Sequence, residues 1–338
     1  MPDALARGEG GAVRPARAVA VAGSGVTLVA TLLNEADNLA EWWTSILGQS
    51  RQPDEVVLVD GGSRDGTLEM LRALSATAPF PVRLEVCEGC NIARGRNIAI
   101  GMATGEIIAV TDAGCVLGPF WLEKIVAPMY EDAGIDLVAG FYKPLTGSFF
   151  EEVSACATLP LAWEVRERRF MPSSRSLAFR RSVWEATGGY PEWLEIGEDM
   201  YFNHTWKNMG IRHVMARDAL VYWRMRPGPR SLLRQYFLYA RGDGESGMYP
   251  QRHLLRFATY AWLAFCAASP RGRRMAAPTA AAAAMYAGRR WMRIPSFMEG
   301  RPAREQAAAV PCISLLMLAI DGAKMAGYVA GLARRKRR

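Results

Sequence analysis

Cysteine is scarce and irregularly placed in this sequence, which excludes the disulfide-rich secreted scaffolds. The six cysteines show no framework spacing, and no clean apolar leader with a cleavage site follows the first arginines. We therefore expect a reducing, cytosol-facing protein. Cys87 and Cys90 form a single Cys-x-x-Cys pair without a second pair at zinc spacing, so two ordinary cysteines are the better interpretation.

Lysine is also rare, with only five among the 41 basic residues. The net charge of +8 therefore comes mainly from arginine, whose planar guanidinium suits phosphate recognition or attraction to an anionic surface. The chain ends in a basic run at 334–338. A solvated tail or a nucleic-acid contact would have the same composition. Because hydrophobic segments precede the run, we favour an anionic membrane surface as partner and expect no nucleic acid.

Uncharged apolar runs of the ~20 residues that a membrane-spanning helix needs are absent. Three shorter runs lie at 257–270, 275–288 and 307–320. If the first two crossed as a hairpin, the basic turn at 271–274 would emerge on the far side, against the positive-inside rule. We expect helices that re-enter the membrane or lie on it. The alternative is that they pack on the rest of a soluble protein.

What the sequence does contain is an alternation of buried-strand and helix patterns, which predicts a Rossmann-like α/β domain with a mostly parallel sheet. The expected organisation is a flexible arm at 1–24, a catalytic domain at 25–228, and a membrane-associated helical region with a polybasic tail at 229–338. The segment from 142 to 163 is aromatic-rich and shows no clear periodicity. Strands are predicted at 26–33, 56–59, 82–86, 107–111 and 136–141, and helices at 39–49, 67–75, 91–103 and 119–130.

Two of the predicted strands end at an aspartate. Asp60 follows the apolar run 56–59, and Asp112 follows 107–111. Ligands of open α/β sheets bind at the carboxyl ends of the strands, where loops can present acids and backbone amides. Both aspartates are thus expected at one edge of the sheet, in a nucleotide site.

Five short motifs, taken in order, resemble glycosyltransferase family 2. These enzymes have the glycosyltransferase A fold and use nucleotide-diphosphate sugars. Each motif is weak alone, and the resemblance rests on their common order over roughly 26–223. The motifs are Asn34-Glu35-x-x-Asn38, Asp60-Gly-Gly-Ser63-x-Asp65-Gly66-Thr67, Arg94-Gly-Arg96-Asn97, Thr111-Asp112-Ala113 and Gly197-Glu198-Asp199.

The resemblance implies a role for each matching residue. Asp199, beside Glu198, would be the catalytic base that takes the proton of an acceptor hydroxyl as it attacks the anomeric carbon, giving an inverted product. Asp65 would hold the second loop. A plain helix cap is the other interpretation of the acidic pair. The residues expected to bind the donor are Leu33, Glu35, Asp60, Arg96, Asp112, Arg175 and Arg224.

Two departures from the family pattern concern the metal. The second acid of the usual Asp-x-Asp is Gly114 here, and the strand at 219–224 lacks the histidine that often completes the site. Asp112 remains as the one candidate ligand, although Mg²⁺ or Mn²⁺ can be held mainly by substrate phosphates. Arginines can also balance the diphosphate charge, so we expect metal dependence to be weak or absent. His204 is interpreted as a packing residue.

The sequence therefore predicts an inverting glycosyltransferase on the cytoplasmic side of a cell membrane, bound peripherally or monotopically. The donor would be a nucleotide-diphosphate sugar, with a UDP-sugar favoured, and the acceptor a cell-envelope glycan or a lipid-linked molecule. A sugar nucleotidyltransferase is the nearest enzyme alternative, but the loop at 34–38 lacks its Gly-rich pyrophosphate motif. A non-catalytic nucleotide-sugar-binding scaffold is the alternative from another class.

Overall fold

The computed structural model describes residues 25–337, which form one eight-stranded sheet flanked by helices. The predicted arm at 1–24 lies outside these residues. The strands are β1 (Val26–Leu32), β2 (Glu55–Asp60), β3 (Val82–Val86), β4 (Ile107–Val110), β5 (Cys115–Leu117), β6 (Leu137–Leu145), β7 (Leu177–Arg180) and β8 (His213–Arg224).

Helices cover the sheet and then build the C-terminal region. Those around the sheet are α1 (Ala36–Leu47), α2 (Thr67–Ala76), α3 (Ile92–Met102), α4 (Trp121–Glu131), α5 (Phe149–Thr158), α6 (Arg181–Thr187) and α7 (Glu198–Asn208). Those of the C-terminal region are α8 (Pro229–Ser246), α9 (Pro250–Ala268), α10 (Pro270–Arg273), α11 (Ala276–Trp291), α12 (Ile294–Phe297) and α13 (Ala303–Arg335).

The strand order is β3-β2-β1-β4-β7-β6-β8-β5. The four strands β3, β2, β1 and β4 are parallel, and β1 and β2 are in register from Thr27 opposite Glu55 to Leu32 opposite Asp60. Beyond β4 the sheet is mixed, because β7 runs antiparallel to both β4 and β6. The predicted α/β fold is confirmed, with the parallel half carrying the two strand-end aspartates.

The inner parallel strands β1, β2 and β4 are buried because helices cover both faces, whereas the edge strand β3 is partly exposed. Every residue of β2 and β4 is buried, as expected for strands without a solvent face. On one side the core contains Trp42 of α1 and Trp121 of α4. On the other it contains Phe202 and Trp206 of α7. Burial of each such aromatic side chain contributes about 1.5–3 kcal/mol, so these helices hold the loops at the sheet edge firmly.

Some sequence predictions were wrong in detail. Helical spacing in the predicted helix at 39–49 puts Leu47 on one face with Leu39 and Ile46, yet Leu47 is 41% exposed. The segment after residue 142 is not irregular throughout, because α5 forms there behind a capping box in which Ser148 and Glu151 satisfy each other's backbone amides. The short edge strand β5, paired antiparallel with β8, was not anticipated because three residues carry no readable periodicity.

The uncharged apolar run at 307–320 lies inside the 33-residue helix α13, so the helix extends well beyond the run on its C-terminal side. Among residues 25–337, α13 is the one helix long and apolar enough to cross a membrane by length and composition, with a mean hydropathy of 1.6 in its most apolar window. One face of α13 packs on α8, where Gly327 and Gly331 leave no room for side chains against the α8 backbone. The other face is largely exposed.

The C-terminal helices also contact the sheet domain. Residues of α5, α8, α12 and α13 share one apolar cluster that includes Val153, Ile294 and Ile313. Arg293 donates to Glu164 at 2.8 Å, and Arg301 donates to Glu152 at 2.9 Å. The basic tail begins within α13, and its Arg334 donates to Glu195 at 3.2 Å.

Candidate active site

The loops after β1 and β2 are joined at the carboxyl edge of the sheet by reciprocal hydrogen bonds. The amide of Asn34 donates to Ser63 Oγ at 2.8 Å, and the amide of Arg64 donates to Asn34 Oδ1 at 2.9 Å. Asn34 adopts a left-handed backbone conformation with φ of 55°, which asparagine tolerates better than most residues. The neighbouring Leu33 is exposed at the rim.

Asp60 and Asp65 hold the glycine-containing turn after β2. Asp60 is fully buried, and its Oδ1 accepts from the amides of Gly62 and Ser63 at 2.9 and 2.8 Å. Its Oδ2 accepts from Ser63 Oγ at 2.6 Å. Asp65 accepts from the Thr67 hydroxyl at 2.6 Å. Three donors of its own loop thus engage the Asp60 carboxylate, and the loop it shapes lies beside the end of β1.

Arg96 is buried on α3 and bridges two carboxylates that are distant in sequence. Its Nη1 donates to Glu198 Oε1 at 2.5 Å, and its Nη2 donates to Asp112 Oδ1 at 2.8 Å. Its guanidinium also lies over the ring of Tyr190, 5.3 Å from the centroid. The side chain is only 2% exposed, so Arg96 joins the two acids from beneath the site.

Arg175 approaches the same carboxylate from the segment before β7. Its Nε lies 4.0 Å from Asp112 Oδ2, and its guanidinium stacks over Trp223 at 4.0 Å and Tyr142 at 5.6 Å from the ring centroids. The Nε is buried and has no hydrogen-bond partner among the described residues. This contact of Arg175 with two aromatic rings was missed from sequence, where Trp223 was noted only as part of a strand without histidine.

Glu35 stands beside the position of the missing second acid. A Cβ added to Gly114 would lie 3.9 and 4.0 Å from the two carboxylate oxygens of Glu35, with no other atom within 4 Å. Burial raises the pKa of Glu35, and the nearby charge of Asp112 adds to this, while a hydrogen bond from Asn38 at 2.9 Å opposes it. A carboxylate thus faces Gly114 from the β1 loop.

The acidic pair begins α7 directly after Gly197, whose φ of 86° is in the left-handed region that favours glycine. Glu198 is buried against Arg96, and burial together with Asp199 raises the pKa of Glu198 to about 7. Asp199 accepts from Ser173 Oγ at 3.2 Å and from the Met200 amide at 2.8 Å. Met200 is in the first turn of α7, so Asp199 satisfies one of the free amides there, as the cap interpretation expects. The contacts of Glu198 with Arg96 and of Asp199 with Ser173 are additional to this. The pair thus does more than cap the helix.

Arg224 and His204, also singled out from the sequence, take no part in the Arg96 bridge. Arg224, at the end of β8, forms an ion pair with Glu41 of α1. His204 lies against Tyr249 with ring centroids 5.0 Å apart, and burial lowers its pKa. The neighbouring Arg226 donates to Gln235 of α8 at 3.3 Å and is among the charges that act on Glu35.

These side chains do not form a metal site held by the protein. Within the part of the chain that the structure describes, no group of three His, Cys, Asp or Glu side chains could hold a metal ion. Both oxygens of Asp112 already face guanidinium groups, those of Arg96 and Arg175. Asp112 is thus engaged by two cations, and guanidinium groups are good donors to an anionic ligand.

Strand-end acids, a buried arginine bridge and a helix that begins with two acids gather at the edge of a mixed α/β sheet, as expected for a transferase of the glycosyltransferase A fold. The comparisons with known proteins agree. The model of "Glycosyl transferase family 2" matches residues 27–182. The chain belongs to glycosyltransferase family 2 and is a glycosyltransferase.

Several relatives support this assignment. The chain is 27% identical to glycosyltransferase AglE of Haloferax volcanii, over 70% of this chain and 79% of that protein. It is 30% identical to an uncharacterised glycosyltransferase of Mycobacterium tuberculosis, over 51% of this chain and 77% of that one. It is 24% identical to the O-antigen chain rhamnosyltransferase RfbN of Salmonella typhimurium, over 61% and 70%.

The fold is similar to that of the mannosyltransferase PcManGT from Pyrobaculum calidifontis, solved in complex with GDP-Man and Mn²⁺. The TM-score is 0.57, the identity is 23%, and the match covers 88% of each chain. The similarity establishes the glycosyltransferase A fold for this chain.

Proposed function

We propose that this protein is an inverting glycosyltransferase in which Asp199 is the catalytic base and the donor diphosphate binds beside Arg175, close to the end of β4. The observation that carries the proposal is the Glu198–Arg96–Asp112 bridge. It fixes the start of α7, which bears the base, against the strand end expected to bind the donor. Acceptor and donor chemistry thereby meet at one edge of the sheet.

The proposed step is a single displacement. The oxygen of an acceptor hydroxyl attacks the anomeric carbon, and its proton passes to the Asp199 carboxylate. The bond between the anomeric carbon and the β-phosphate oxygen breaks, and its electron pair leaves with the nucleotide diphosphate. Attack opposite the leaving group inverts the anomeric configuration. Ser173, which donates to Asp199 at 3.2 Å, would orient the base.

The developing charge on the diphosphate requires cationic neighbours, and Arg175 is placed to supply one. Contact with the rings of Tyr142 and Trp223 restricts the orientation of the guanidinium. Its buried Nε has no hydrogen-bond partner among the described residues. A preorganised cation in a buried site stabilises negative charge more effectively than a mobile one in water. We therefore propose that transfer proceeds without a protein-held metal.

The donor class follows from the family, and its nucleotide is open to direct test. The sequence favoured a UDP-sugar, whereas the solved mannosyltransferase with the same fold holds GDP-Man. A relative that builds O-antigen chains supports a cell-envelope glycan or lipid-linked molecule as the acceptor. We propose that the enzyme works at the cytoplasmic side of a membrane, where α13 and the exposed C-terminal helices would lie.

The decisive experiment pairs a donor screen with Asp199→Asn. Thermal shifts with UDP-, GDP- and dTDP-sugars identify the nucleotide, and donor hydrolysis or transfer is then measured in both proteins. Asp199→Asn should keep the thermal shift and lose about 10²- to 10⁴-fold in rate, the usual contribution of a general base. Asp218→Asn, at an exposed position of β8, is the control and should match the parent. Undiminished transfer by Asp199→Asn would assign the proton to another base, whereas a parent that binds a donor but transfers no sugar would favour the non-catalytic scaffold.

A further inference from the structure

The helices α9 and α11 form a hairpin with a large exposed apolar surface. They are joined through α10, and Trp262 Nε1 of α9 donates to Thr279 Oγ1 of α11 at 3.1 Å. Leu254 and Leu255 are 70% and 69% exposed, and Met285 is 75% exposed. None of the 16 residues of α11 is buried. Soluble proteins rarely expose so much contiguous apolar surface without a partner.

The exposed apolar residues of α9 recur at helical spacing. Steps of three or four residues place them along one stripe of the helix, as in an amphipathic helix that faces a partner. The members of this stripe are Leu254, Ala258, Ala261, Phe265 and Ala268, all exposed.

The charge of this region has one sign. Between Glu245 and Glu299 the sequence contains eight arginines and no acidic residue. Two of them have carboxylate partners, since Arg256 pairs with Asp321 and Arg293 with Glu164. The three at the tip of the hairpin, Arg271, Arg273 and Arg274, are exposed and pair with no carboxylate in residues 25–337. The surface is therefore apolar with an uncompensated basic end.

The dimensions of the hairpin decide how it meets a membrane. At about 1.5 Å per residue, the 19-residue α9 and the 16-residue α11 are roughly 28 and 24 Å long, shorter than a hydrocarbon core of about 30 Å. A crossing hairpin would also carry its three tip arginines through the bilayer. Both facts favour helices that lie in the interface with their basic residues at the headgroups.

We propose that the α9–α11 hairpin is a membrane-docking surface that binds the anionic phospholipid headgroup region and inserts its apolar stripe shallowly. The apolar residues supply burial in the acyl boundary, and the unpaired arginines supply attraction to lipid phosphates. This surface is distinct from the glycosyl-transfer site, and the proposal does not depend on which sugar is transferred.

Co-sedimentation of the full chain with vesicles tests the charge requirement. The protein should bind vesicles of phosphatidylcholine mixed with phosphatidylglycerol, and bind much less to phosphatidylcholine alone. Arg271→Gln/Arg273→Gln/Arg274→Gln should weaken binding on the order of 100-fold, because each basic residue near an anionic surface contributes about fivefold. The matched control is Arg72→Gln/Arg168→Gln/Arg169→Gln, which removes three exposed charges elsewhere and should bind nearly as the parent does.

A second comparison tests the apolar stripe. Leu254→Gln/Phe265→Gln, at two large members of the stripe, should lose binding even at low salt, whereas Leu47→Gln/Met209→Gln, exposed apolar positions of the sheet domain, should not. Equal binding by the hairpin variants and their controls would overturn the proposal. The proposal would also be overturned if the parent protein did not bind anionic vesicles and formed a dimer in sedimentation equilibrium that the stripe variant abolishes. A second copy of the chain would then cover the surface.

Discussion

Arg96 Nη1 donates to Glu198 Oε1 at 2.5 Å, although 102 residues separate the two in the sequence. The same guanidinium holds Asp112 at 2.8 Å, so one buried cation fixes the start of α7 against the end of β4. Burial of a charge is costly unless it is paired and hydrogen-bonded, and here both conditions are met by the two acids proposed to flank the reaction centre.

Loss of the Arg96 bridge should destabilise the protein and the site together. Arg96→Gln leaves Glu198 buried without its cation, and breaking a buried ion pair costs about 3–5 kcal/mol, so its melting temperature should fall sharply. Arg96→Lys keeps the charge but lacks the two-branched geometry, and should be intermediate. Thermal denaturation measures both. Arg94→Gln, exposed two residues earlier on α3, is the control, and a melting temperature for Arg96→Gln equal to that of the control would contradict the bridge.

The raised pKa of Glu198 predicts a pH-dependent stability. Its carboxyl binds a proton more tightly in the folded chain, with a pKa of about 7 against 4.5 for the ordinary group. The free energy of unfolding should therefore decrease as pH rises from about 4.5 to about 7, by roughly 3 kcal/mol at most. Below that window the contribution is fully present.

Denaturant titrations across this pH range measure the slope. Glu198→Gln should remove this part of the slope, whatever its absolute stability, because the amide does not titrate. Glu131→Gln, exposed at the end of α4, should keep it. Identical slopes in Glu198→Gln and the parent would assign the titration to another group.

Chelation should leave most of the transfer rate intact, because the described site offers two guanidinium groups around Asp112 and no three-ligand metal group. Gly114→Asp is an informative companion variant. The new carboxylate would face Glu35, and Asp112, whose charge already acts on Glu35, would be the third carboxylate there. The three together should bind Mn²⁺, which electron paramagnetic resonance detects without any turnover. Complete loss of parent activity on chelation, with recovery in Mn²⁺, would show that substrate phosphates complete a metal site here.

Arg175 should contribute to donor binding through its fixed guanidinium. Removing a hydrogen bond to a charged group costs about 1.5–3 kcal/mol, so Arg175→Gln should weaken nucleotide-sugar affinity roughly 10- to 100-fold. Arg175→Lys keeps the charge and loses the planar stack on Trp223. Calorimetric titration of both variants separates the two effects. Donor affinity unchanged in Arg175→Gln would place the diphosphate elsewhere.

Much of the sheet domain was predictable from local patterns. The strand β3 was predicted with its observed bounds, and β1 and α2 to within one residue at either end, because hydrophobic periodicity is a short-range signal. The arrival of Asp60 and Asp112 at one edge followed from parallel strands alone. The order of the motifs also indicated the family.

The sequence could not decide which partner each polar side chain would take. The donor roles of Asp60 and Arg224 stay predictions, and the sequence did not indicate that Asp60 accepts three hydrogen bonds from its own loop or that Arg224 pairs with Glu41. Such choices depend on distances between segments far apart in the chain, as does the exposure of the α9–α11 hairpin. The sequence by itself determined the alternating elements and the acids at their ends. Only the tertiary structure decided that Arg96 would join two of those acids, because an ion pair across 102 residues exists only once the sheet has assembled.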